Sequence, residues 1–202
     1  MMKEDPIYKQ RFGISTPIKY LTDVVVEPKW EKSYKRAWKK FLDENEPAGS
    51  EARRKKFDRL LETIEELGDD LPFTTRIEIR HISKTVGYGV FAKEKIPPYS
   101  LLNHYAGFMR PDKAIAINND STFMFSEFPS FSLDAAKQGN WCRFMNHSPP
   151  RHPHTNVVAW EHYSKWGPRI LFTAGHKGIK KGDQLLYSYG DQYWEGDGFI
   201  DL

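Results

Sequence analysis

Apolar residues in the first third of the chain recur at helical spacing in two stretches. In the first stretch they fall at i, i+4, i+7, i+8 and i+11, namely at Trp30, Tyr34, Ala37, Trp38 and Phe41. In the second stretch they are Phe57, Leu60, Leu61, Ile64 and Leu67. The turn-forming segment ENEPAGS at 44–50 separates the two stretches, and Gly68 is typical of a helix end. The pattern therefore predicts an antiparallel hairpin of two helices that bury aromatic residues.

Residues 1–28 show little regular periodicity, and three prolines interrupt them. We interpret this part as an arm with one short strand in the segment DVVVE at 23–27.

After Pro72 the apolar pattern changes to the alternation that is typical of strands. The segment TRIEIRHIS at 75–83 alternates, and short apolar runs such as RILFTA at 169–174 lie between frequent turn residues. This spacing predicts a compact, mainly β domain over 73–194, after an N-terminal arm and helical hairpin over 1–72. Residues 195–202 form a short tail.

Composition sets the class of protein. The chain has 202 residues, of which 39% are hydrophobic and 14% aromatic, so it can bury a core. A single cysteine excludes internal disulfides and any cysteine-rich zinc cluster. The start has no apolar signal region, and no apolar run is long enough for a membrane span. We therefore expect a soluble protein of a reducing intracellular compartment, with no membrane partner.

Basic residues cluster on both predicted helices, in KRAWKK at 35–40 and RRKK at 53–56. Such runs could contact nucleic acid or direct nuclear import. Because acidic residues are interleaved with them and the net charge is only +3, we favour solvated helix faces and expect no sequence-specific nucleic-acid binding.

The segment GYGVFA at 87–92 fits the dinucleotide-binding pattern G-x-G-x-x-A. That pattern requires a following helix, and Pro97 and Pro98 stand where the helix would run. We therefore reject a Rossmann site. Two glycines before a strand still predict a tight turn whose backbone N–H groups can bind a polar ligand.

Four histidines occur within sixteen residues, at His147, His152, His154 and His162. Zinc sites need three or four ligands at regular spacing, and this region has neither an HExxH motif nor a cysteine pair. We interpret the proline-rich part around His152 and His154 as a surface loop and predict no metal site.

Four motifs now stand in order: GYGVFA at 87–92, IPPYSLLNHYAG at 96–107, RFMNHS at 143–148 and GDQLLYSYG at 182–190. Together they resemble the SET-domain protein lysine methyltransferases, most of all the small stand-alone SET proteins of intracellular bacteria. The resemblance covers Arg76 to Trp194. It implies a mainly β, β-clip fold of small sheets with a C-terminal pseudoknot in which the NHS and YxYG segments cross.

The resemblance also implies S-adenosylmethionine as cofactor and assigns roles to residues. Tyr189 and Tyr105 match catalytic tyrosines, and Tyr187 matches the position that sets product state, where tyrosine implies mono- or dimethylation. The matched cofactor-binding residues are Val86, Gly87 and Tyr88 through their backbone, Phe123, Arg143, Asn146 through its side chain, His147 through its backbone, and the aromatics Tyr193 and Trp194.

The chain departs from the family pattern in several places. The usual NHSCxPN is NHSPPRHPHTN here, so the cysteine of the post-SET zinc cluster is missing. Trp194, Phe199 and Ile200, or a homodimer partner, are the candidates for closing the lysine channel. Phe123 stands where tyrosine is usual, and Ser188 stands where aspartate is common.

Two functional hypotheses remain open. The first is a lysine methyltransferase that acts on histones or another lysine-rich protein, located in the nucleus on chromatin if the substrate is histone (including as a secreted bacterial effector) and otherwise in the cytoplasm. The second is a catalytically silent SET module that binds peptide or chromatin, which Phe123 and the missing zinc cluster favour. The retention of Tyr105, Asn146, His147 and Tyr189 argues against it, so we predict the enzyme.

Overall fold

The computed structural model describes residues 4–45, 51–67, 73–116, 119, 121–128, 130–149, 152–164 and 166–189. Its helices are α1 (Pro6–Phe12), α2 (Pro28–Glu44) and α3 (Glu51–Leu67), with 3-10 turns at Thr74–Arg76, Asp112–Ala114 and Trp141–Phe144. Its strands are β1 (Lys19–Tyr20), β2 (Val25–Val26), β3 (Ile77–Ser83), β4 (Gly87–Ala92), β5 (Leu101–His104), β6 (Phe108–Pro111), β7 (Thr122–Met124), β8 (Phe131–Asp134), β9 (Gln138–Gly139), β10 (Asn146–His147), β11 (Val157–Ser164), β12 (Gly167–Ala174) and β13 (Leu186–Tyr187).

The strands of the described ranges form several small sheets. β3 and β4 form an antiparallel hairpin, β11, β12 and β5 form a three-stranded antiparallel sheet, and β2, β6, β8 and β7 form a four-stranded sheet. Two parallel pairs, β1 with β9 and β10 with β13, join distant parts of the chain. This confirms the prediction of a mainly β fold built from small sheets.

The C-terminal strand passes through a loop of the chain. On one side, β13 pairs in parallel with β10, in the register Asn146 with Leu186 and His147 with Tyr187. On the other side, Asn156 accepts a 3.0 Å hydrogen bond from the Leu186 N–H at its Oδ1 and donates a 2.8 Å bond to the Gln184 carbonyl. The crossing of the NHS and YxYG segments is therefore confirmed.

The two long helices lie where the apolar periodicity placed them, and each packs on a different part of the β domain. On α2, Phe41 packs against Phe128 and Tyr163, with ring centroids 5.5 and 5.0 Å apart. On α3, Phe57, Leu61 and Ile64 form a separate apolar cluster with Leu171 of β12. Each aromatic pair of this kind contributes about 0.5–1.5 kcal/mol beyond area burial. The link at 46–50 lies outside the described residues.

The sequence interpretation missed α1. Asp5 caps this helix by accepting a bond from the Ile7 N–H, Pro6 is its first residue, and the left-handed Gly13 ends it. These signals are present in the sequence, but seven residues are too few to show a 3.6-residue period. The strand predicted in DVVVE is confirmed as β2, and it joins the four-stranded sheet beside β6.

The N-terminal arm is anchored in the main core by Tyr8. Its side chain is 0% exposed and packs edge-on against Phe144, and its hydroxyl donates a 2.8 Å hydrogen bond to the Gly139 carbonyl. Burial raises the pKa of the Tyr8 hydroxyl well above its ordinary value, so the phenol remains a neutral donor. The arm therefore forms part of the folded body.

Replacing Tyr8 with phenylalanine removes this buried hydrogen bond while keeping the ring. We expect Tyr8→Phe to lower the free energy of unfolding by about 1 kcal/mol, measured by urea denaturation. Tyr99→Phe is the matched control, because Tyr99 is 68% exposed, and it should leave stability unchanged. Equal stability of the two variants would contradict the anchoring role.

Candidate active site

Five aromatic side chains from four segments meet beside the strand crossing. Tyr187 lies at their centre, 4.7 Å from Tyr189, 4.9 Å from Phe172 and 6.3 Å from Phe123 between ring centroids. Tyr105 closes the group at 5.9 Å from Phe123. Tyr105 and Tyr187 are only 3% and 5% exposed. We call these five residues the aromatic cluster, and it contains all three tyrosines that the sequence predicted to be catalytic.

Phe172 of β12 is a member of the aromatic cluster that the sequence analysis did not single out. It lies in the run RILFTA, where an apolar residue in a strand is indistinguishable from any other core position. Only the register of β12 with β5, which pairs Phe172 with Asn103, places it beside Tyr105.

The hydroxyls of the two tyrosines at the ends of the aromatic cluster are oriented by the main chain. The Tyr189 hydroxyl donates a 2.7 Å bond to the Met145 carbonyl, and the Tyr105 hydroxyl donates a 2.9 Å bond to the Ser121 carbonyl. A hydroxyl has one donor and two acceptor lone pairs. Because the protons point at carbonyls, each oxygen acts toward the cluster as an acceptor.

Arg143 supports the Tyr105 end of the aromatic cluster through hydrogen bonds to neighbouring residues. Its Nε donates a 2.8 Å bond to the Ala135 carbonyl, and its Nη2 donates a 2.9 Å bond to the Ser121 hydroxyl. Ser121 is the residue whose carbonyl orients Tyr105, so Arg143 acts on the cluster through Ser121. The predicted role of Arg143 in cofactor binding stays a prediction.

Asn140, which the sequence analysis also missed, joins the chain on both sides of Tyr105. Its Nδ2 donates a 2.7 Å bond to the His104 carbonyl, and its Oδ1 accepts bonds from the Cys142 and Ala106 N–H groups. The side chain is 1% exposed, so these bonds replace its lost hydration. An asparagine directly before a helical turn is the one sequence signal that could have drawn attention to it.

The glycine turn is joined to the strand crossing. Gly87 has a φ of 75°, a value that favours glycine, and a Cβ added at Gly89 would lie 2.7 Å from the Gln184 Nε2 atom. The Asn146 Nδ2 donates a 3.1 Å bond to the Tyr88 carbonyl. The Tyr88 ring packs against Phe144, with centroids 5.7 Å apart, so the backbone of the turn is left to meet a ligand.

This arrangement suits a polar cofactor. The Tyr88 carbonyl is brought to the Asn146 side chain, although the two residues are 58 positions apart in the chain. The cofactor roles that the resemblance implies for Val86, Gly87, Tyr88, Asn146 and His147 stay predictions. The Gln184 Nε2 is buried there and has no hydrogen-bond partner among the described residues. Backbone groups, two side-chain amides and an adjoining aromatic wall fit a zwitterionic amino acid joined to a flat base.

His147 links the crossing strands through its side chain. Its Nδ1 accepts a 3.1 Å bond from the Tyr189 N–H, and its ring lies 5.2 Å from the Tyr189 ring. Burial lowers the pKa of His147 below its ordinary value of 6.5. A neutral imidazole that accepts this backbone bond joins the two crossing strands.

The remaining sequence candidates lie elsewhere. Tyr193 and Trp194, and likewise Phe199 and Ile200, are outside the described residues. The rings of His152 and His154 are 5.2 Å apart on the exposed loop, and His162 lies 3.0 Å from Asp58 of α3.

Across the described ranges, no group of three or more histidine, cysteine, aspartate or glutamate side chains could hold a metal ion. None of the helices described is long and apolar enough to cross a membrane.

Comparisons with known proteins identify a family and relatives for this chain. The family model described as SET domain matches residues 87–190. The human histone-lysine N-methyltransferase EHMT1 is 27% identical over 121 residues, which cover 56% of this chain and 9% of that protein. The H3 lysine-9 specific histone-lysine N-methyltransferase SUVH5 of Arabidopsis thaliana is 32% identical over 121 residues, which cover 56% of this chain and 15% of that protein.

Among solved structures, ATXR5 in complex with a mono-methylated histone H3.1 superimposes with a TM-score of 0.61, over 86% of this chain and 81% of that one. At 16% identity this likeness concerns the fold alone. The chain spans less than a fifth of the length of the two curated relatives. The resemblance to stand-alone bacterial proteins stays a prediction.

The lowered pKa of His147 predicts how stability depends on pH. In the unfolded chain the imidazole binds a proton near pH 6.5, whereas in the folded protein it resists protonation. Stability should therefore fall as the pH drops below about 6.5, and His147→Gln should lose part of this dependence. Urea unfolding between pH 7.5 and 5 measures it. His176→Gln is the control on an exposed loop, and identical profiles for the two variants would refute the assignment.

Proposed function

This chain belongs to the SET domain family, and we propose that it is an S-adenosylmethionine-dependent protein-lysine N-methyltransferase. The observation that carries the proposal is the aromatic cluster, in which two main-chain-oriented tyrosine hydroxyls border an apolar wall beside the strand crossing.

A lysine ammonium must lose its proton before it can act as a nucleophile. With an ordinary pKa of about 10.4, deprotonation near pH 7.4 costs roughly 4 kcal/mol. The rings of Phe123, Phe172 and Tyr187 surround the site with apolar surface, which disfavours the charged amine and lowers its pKa. The faces of the rings also attract the ammonium cation as it enters. This attraction favours binding and opposes part of the fall in the amine pKa.

The tyrosine hydroxyls orient the reaction. The oxygens of Tyr189 and Tyr105 accept from the amine N–H groups and from the polarised C–H groups of the transferring methyl. Holding the amine in line with that methyl replaces a bimolecular encounter with a positioned one. Because the hydroxyl protons are bonded to Met145 and Ser121, the direction of each lone pair is set by the backbone.

The residues assigned to the cofactor would bind it and position its methyl group. When bound, S-adenosylmethionine would supply an electrophilic methyl group on a sulfonium, with the neutral thioether S-adenosylhomocysteine as the leaving group. The Val86–Tyr88 turn offers backbone groups, and the Asn146 Oδ1 would accept from the amino group of the methionine part, since its Nδ2 already bonds the Tyr88 carbonyl. We assign adenine contacts to the His147 backbone, Tyr193 and Trp194, and a packing contact to Phe123.

The substrate we propose is a lysine-rich protein such as a histone or histone-like protein. The curated relatives are named histone-lysine methyltransferases, and ATXR5 was solved with histone H3.1. Tyr187 limits the room around the amine, so we propose mono- or dimethylation. Action on chromatin follows if the substrate is histone. Closure of the lysine channel by Trp194, Phe199 and Ile200 or by a homodimer partner belongs to the same proposal.

A catalytically silent module that binds peptide or chromatin is the second candidate. One observation favours it, because Phe123 brings no hydroxyl to the place where the family usually has tyrosine. The retention of Tyr105, Tyr189 and Asn146 in one site is the argument for the enzyme.

Transfer of a labelled methyl group decides between the two. Incubated with labelled S-adenosylmethionine and nucleosomes or cell lysate, the wild-type chain should label a protein substrate, and Tyr189→Phe should be slower by about 100-fold or more. Tyr99→Phe, on the surface, should match wild type. Absence of transfer above the Tyr189→Phe level on every substrate would rule out the enzyme.

The product state depends on Tyr187. Removing its hydroxyl leaves more room for methyl groups on the amine, so Tyr187→Phe should shift the product toward trimethyl-lysine. Mass spectrometry of the labelled peptide measures the distribution. A wild-type product that is already mostly trimethylated would contradict the assignment.

A further inference from the structure

A basic surface lies where two connections of the chain run side by side. Residues 93–99 lead from β4 to β5, and residues 175–183 lead from β12 to β13. Ile96 and Ile179 form an antiparallel bridge between them, in which each N–H donates a 2.9 Å bond to the carbonyl of the other residue. The exposed lysines of the two connections, which we call the lysine face, are Lys93, Lys95, Lys177, Lys180 and Lys181.

The excess positive charge of the chain lies on these two connections. Against the five lysines they carry two acidic residues, Glu94 and Asp183. The difference of three charges equals the net charge of +3 of the whole chain, so basic and acidic side chains are equal in number elsewhere. Both carboxylates are engaged, because Glu94 lies 3.4 Å from the Arg76 Nε and Asp183 accepts a 3.3 Å bond from the Lys180 N–H.

Two members of the lysine face stand opposite each other. Lys95 and Lys180 lie next to the bridge between Ile96 and Ile179. Because both isoleucines are buried and adjacent side chains of an extended segment point to opposite sides, the two lysines point together into solvent. Like charges in opposed positions repel each other, and an anion between them removes the repulsion. Within the described ranges none of the five lysines pairs with a carboxylate, so the face fits an anionic partner.

Tyr99 adds an exposed aromatic ring beside the lysines. Its φ is 59°, a left-handed value that is strained for a residue with a bulky side chain. The side chain is 68% exposed, so packing within the molecule offsets little of this strain. The Tyr99 N–H donates a 3.1 Å bond to the Ala174 carbonyl, which holds the residue beside the connection that carries Lys177. Strained residues of this kind concentrate at binding sites.

We propose that the lysine face and Tyr99 bind single-stranded nucleic acid without sequence specificity. Phosphates would lie between the lysines, and an unpaired base would stack on the Tyr99 ring, which is how sequence-tolerant binders of single strands combine charge and aromatic surface. A duplex offers the same phosphates, but its bases are already stacked on one another. An anionic membrane fits less well, because interfacial binding needs a broad apolar face and Tyr99 is the one large exposed hydrophobic side chain on these connections.

Fluorescence anisotropy of a labelled oligothymidine of about 12 nucleotides, titrated with the full chain, measures this binding. At about 50 mM salt we expect a Kd on the order of 10 µM that rises with salt, with a logarithmic slope of about 3 for about four phosphate contacts. A duplex of the same length should bind at least about threefold more weakly. Tighter binding of the duplex, or binding of phosphatidylserine vesicles without binding of the oligonucleotide, would overturn the proposal.

A pair of double variants separates the lysine face from net charge. Lys95→Gln with Lys180→Gln should raise the Kd at least about tenfold and lower the salt slope by about 1.4. Lys32→Gln with Arg36→Gln removes the same charge from the exposed side of α2 and should change the Kd less than about twofold. Equal losses in the two double variants would mean that the lysine face is not the site.

Two variants of Tyr99 test the stacking. Tyr99→Phe keeps the ring and should bind oligothymidine as wild type does. Tyr99→Gly removes the ring and suits the left-handed backbone, so the Kd should rise at least about fivefold while the urea midpoint stays the same or rises. Wild-type affinity in Tyr99→Gly would refute the role of the ring. Oligonucleotide binding is measured without cofactor or methyl transfer, so its outcome is independent of the proposed activity.

Discussion

The site depends on one constraint, the passage of β13 between β10 and Asn156. Each side of β13 is hydrogen-bonded, on one side by the parallel pairing with β10 and on the other by the Asn156 side chain. The backbone hydrogen bonds of a two-residue strand would open easily if water reached them. Tyr187 is buried against Phe172, which shields the crossing from water. The crossing sets the positions of Tyr187 and Tyr189 relative to Asn146 and His147, although some forty residues separate the two segments.

The three-stranded sheet β11–β12–β5 divides two chemical environments. On one face Phe172 belongs to the aromatic cluster, and on the other face its neighbour Leu171 is covered by α3. Alternation along the strand makes this division inevitable, because adjacent side chains point to opposite faces. In a chain with one cysteine, apolar packing by α2 and α3 supports the sheets, with the aromatic side chains of α2 meeting Phe128 and Tyr163.

Features that rest on interactions between residues close in the chain could be predicted from the sequence. Features that rest on contacts between distant residues could not. The apolar periodicity of the sequence predicts the helices α2 and α3. The family resemblance of the ordered motifs predicts the strand crossing and the tyrosines that meet there. Phe172 could not be recognised, because its role arises from partners distant in the chain, and Asn140 offered only the local signal of an asparagine before a helical turn. The helix α1 had local signals in Asp5, Pro6 and Gly13, yet its stability comes from Tyr8 packed on Phe144, a contact across more than a hundred residues.

The loss of a hydroxyl at Phe123 has two opposed effects on the aromatic cluster. Its ring still lies parallel to the Tyr187 ring at an interplanar angle of 9°, so the wall that is proposed to desolvate the amine is preserved and becomes more apolar. A more apolar wall lowers the pKa of an entering lysine further, whereas the missing hydroxyl removes one polar contact for a cofactor. In the proposed function, deprotonation and cofactor binding would therefore rest on different residues, with the polar contacts to the cofactor assigned to Asn146 and the Val86–Tyr88 turn. Asn146 and Tyr88 are joined by a 3.1 Å bond.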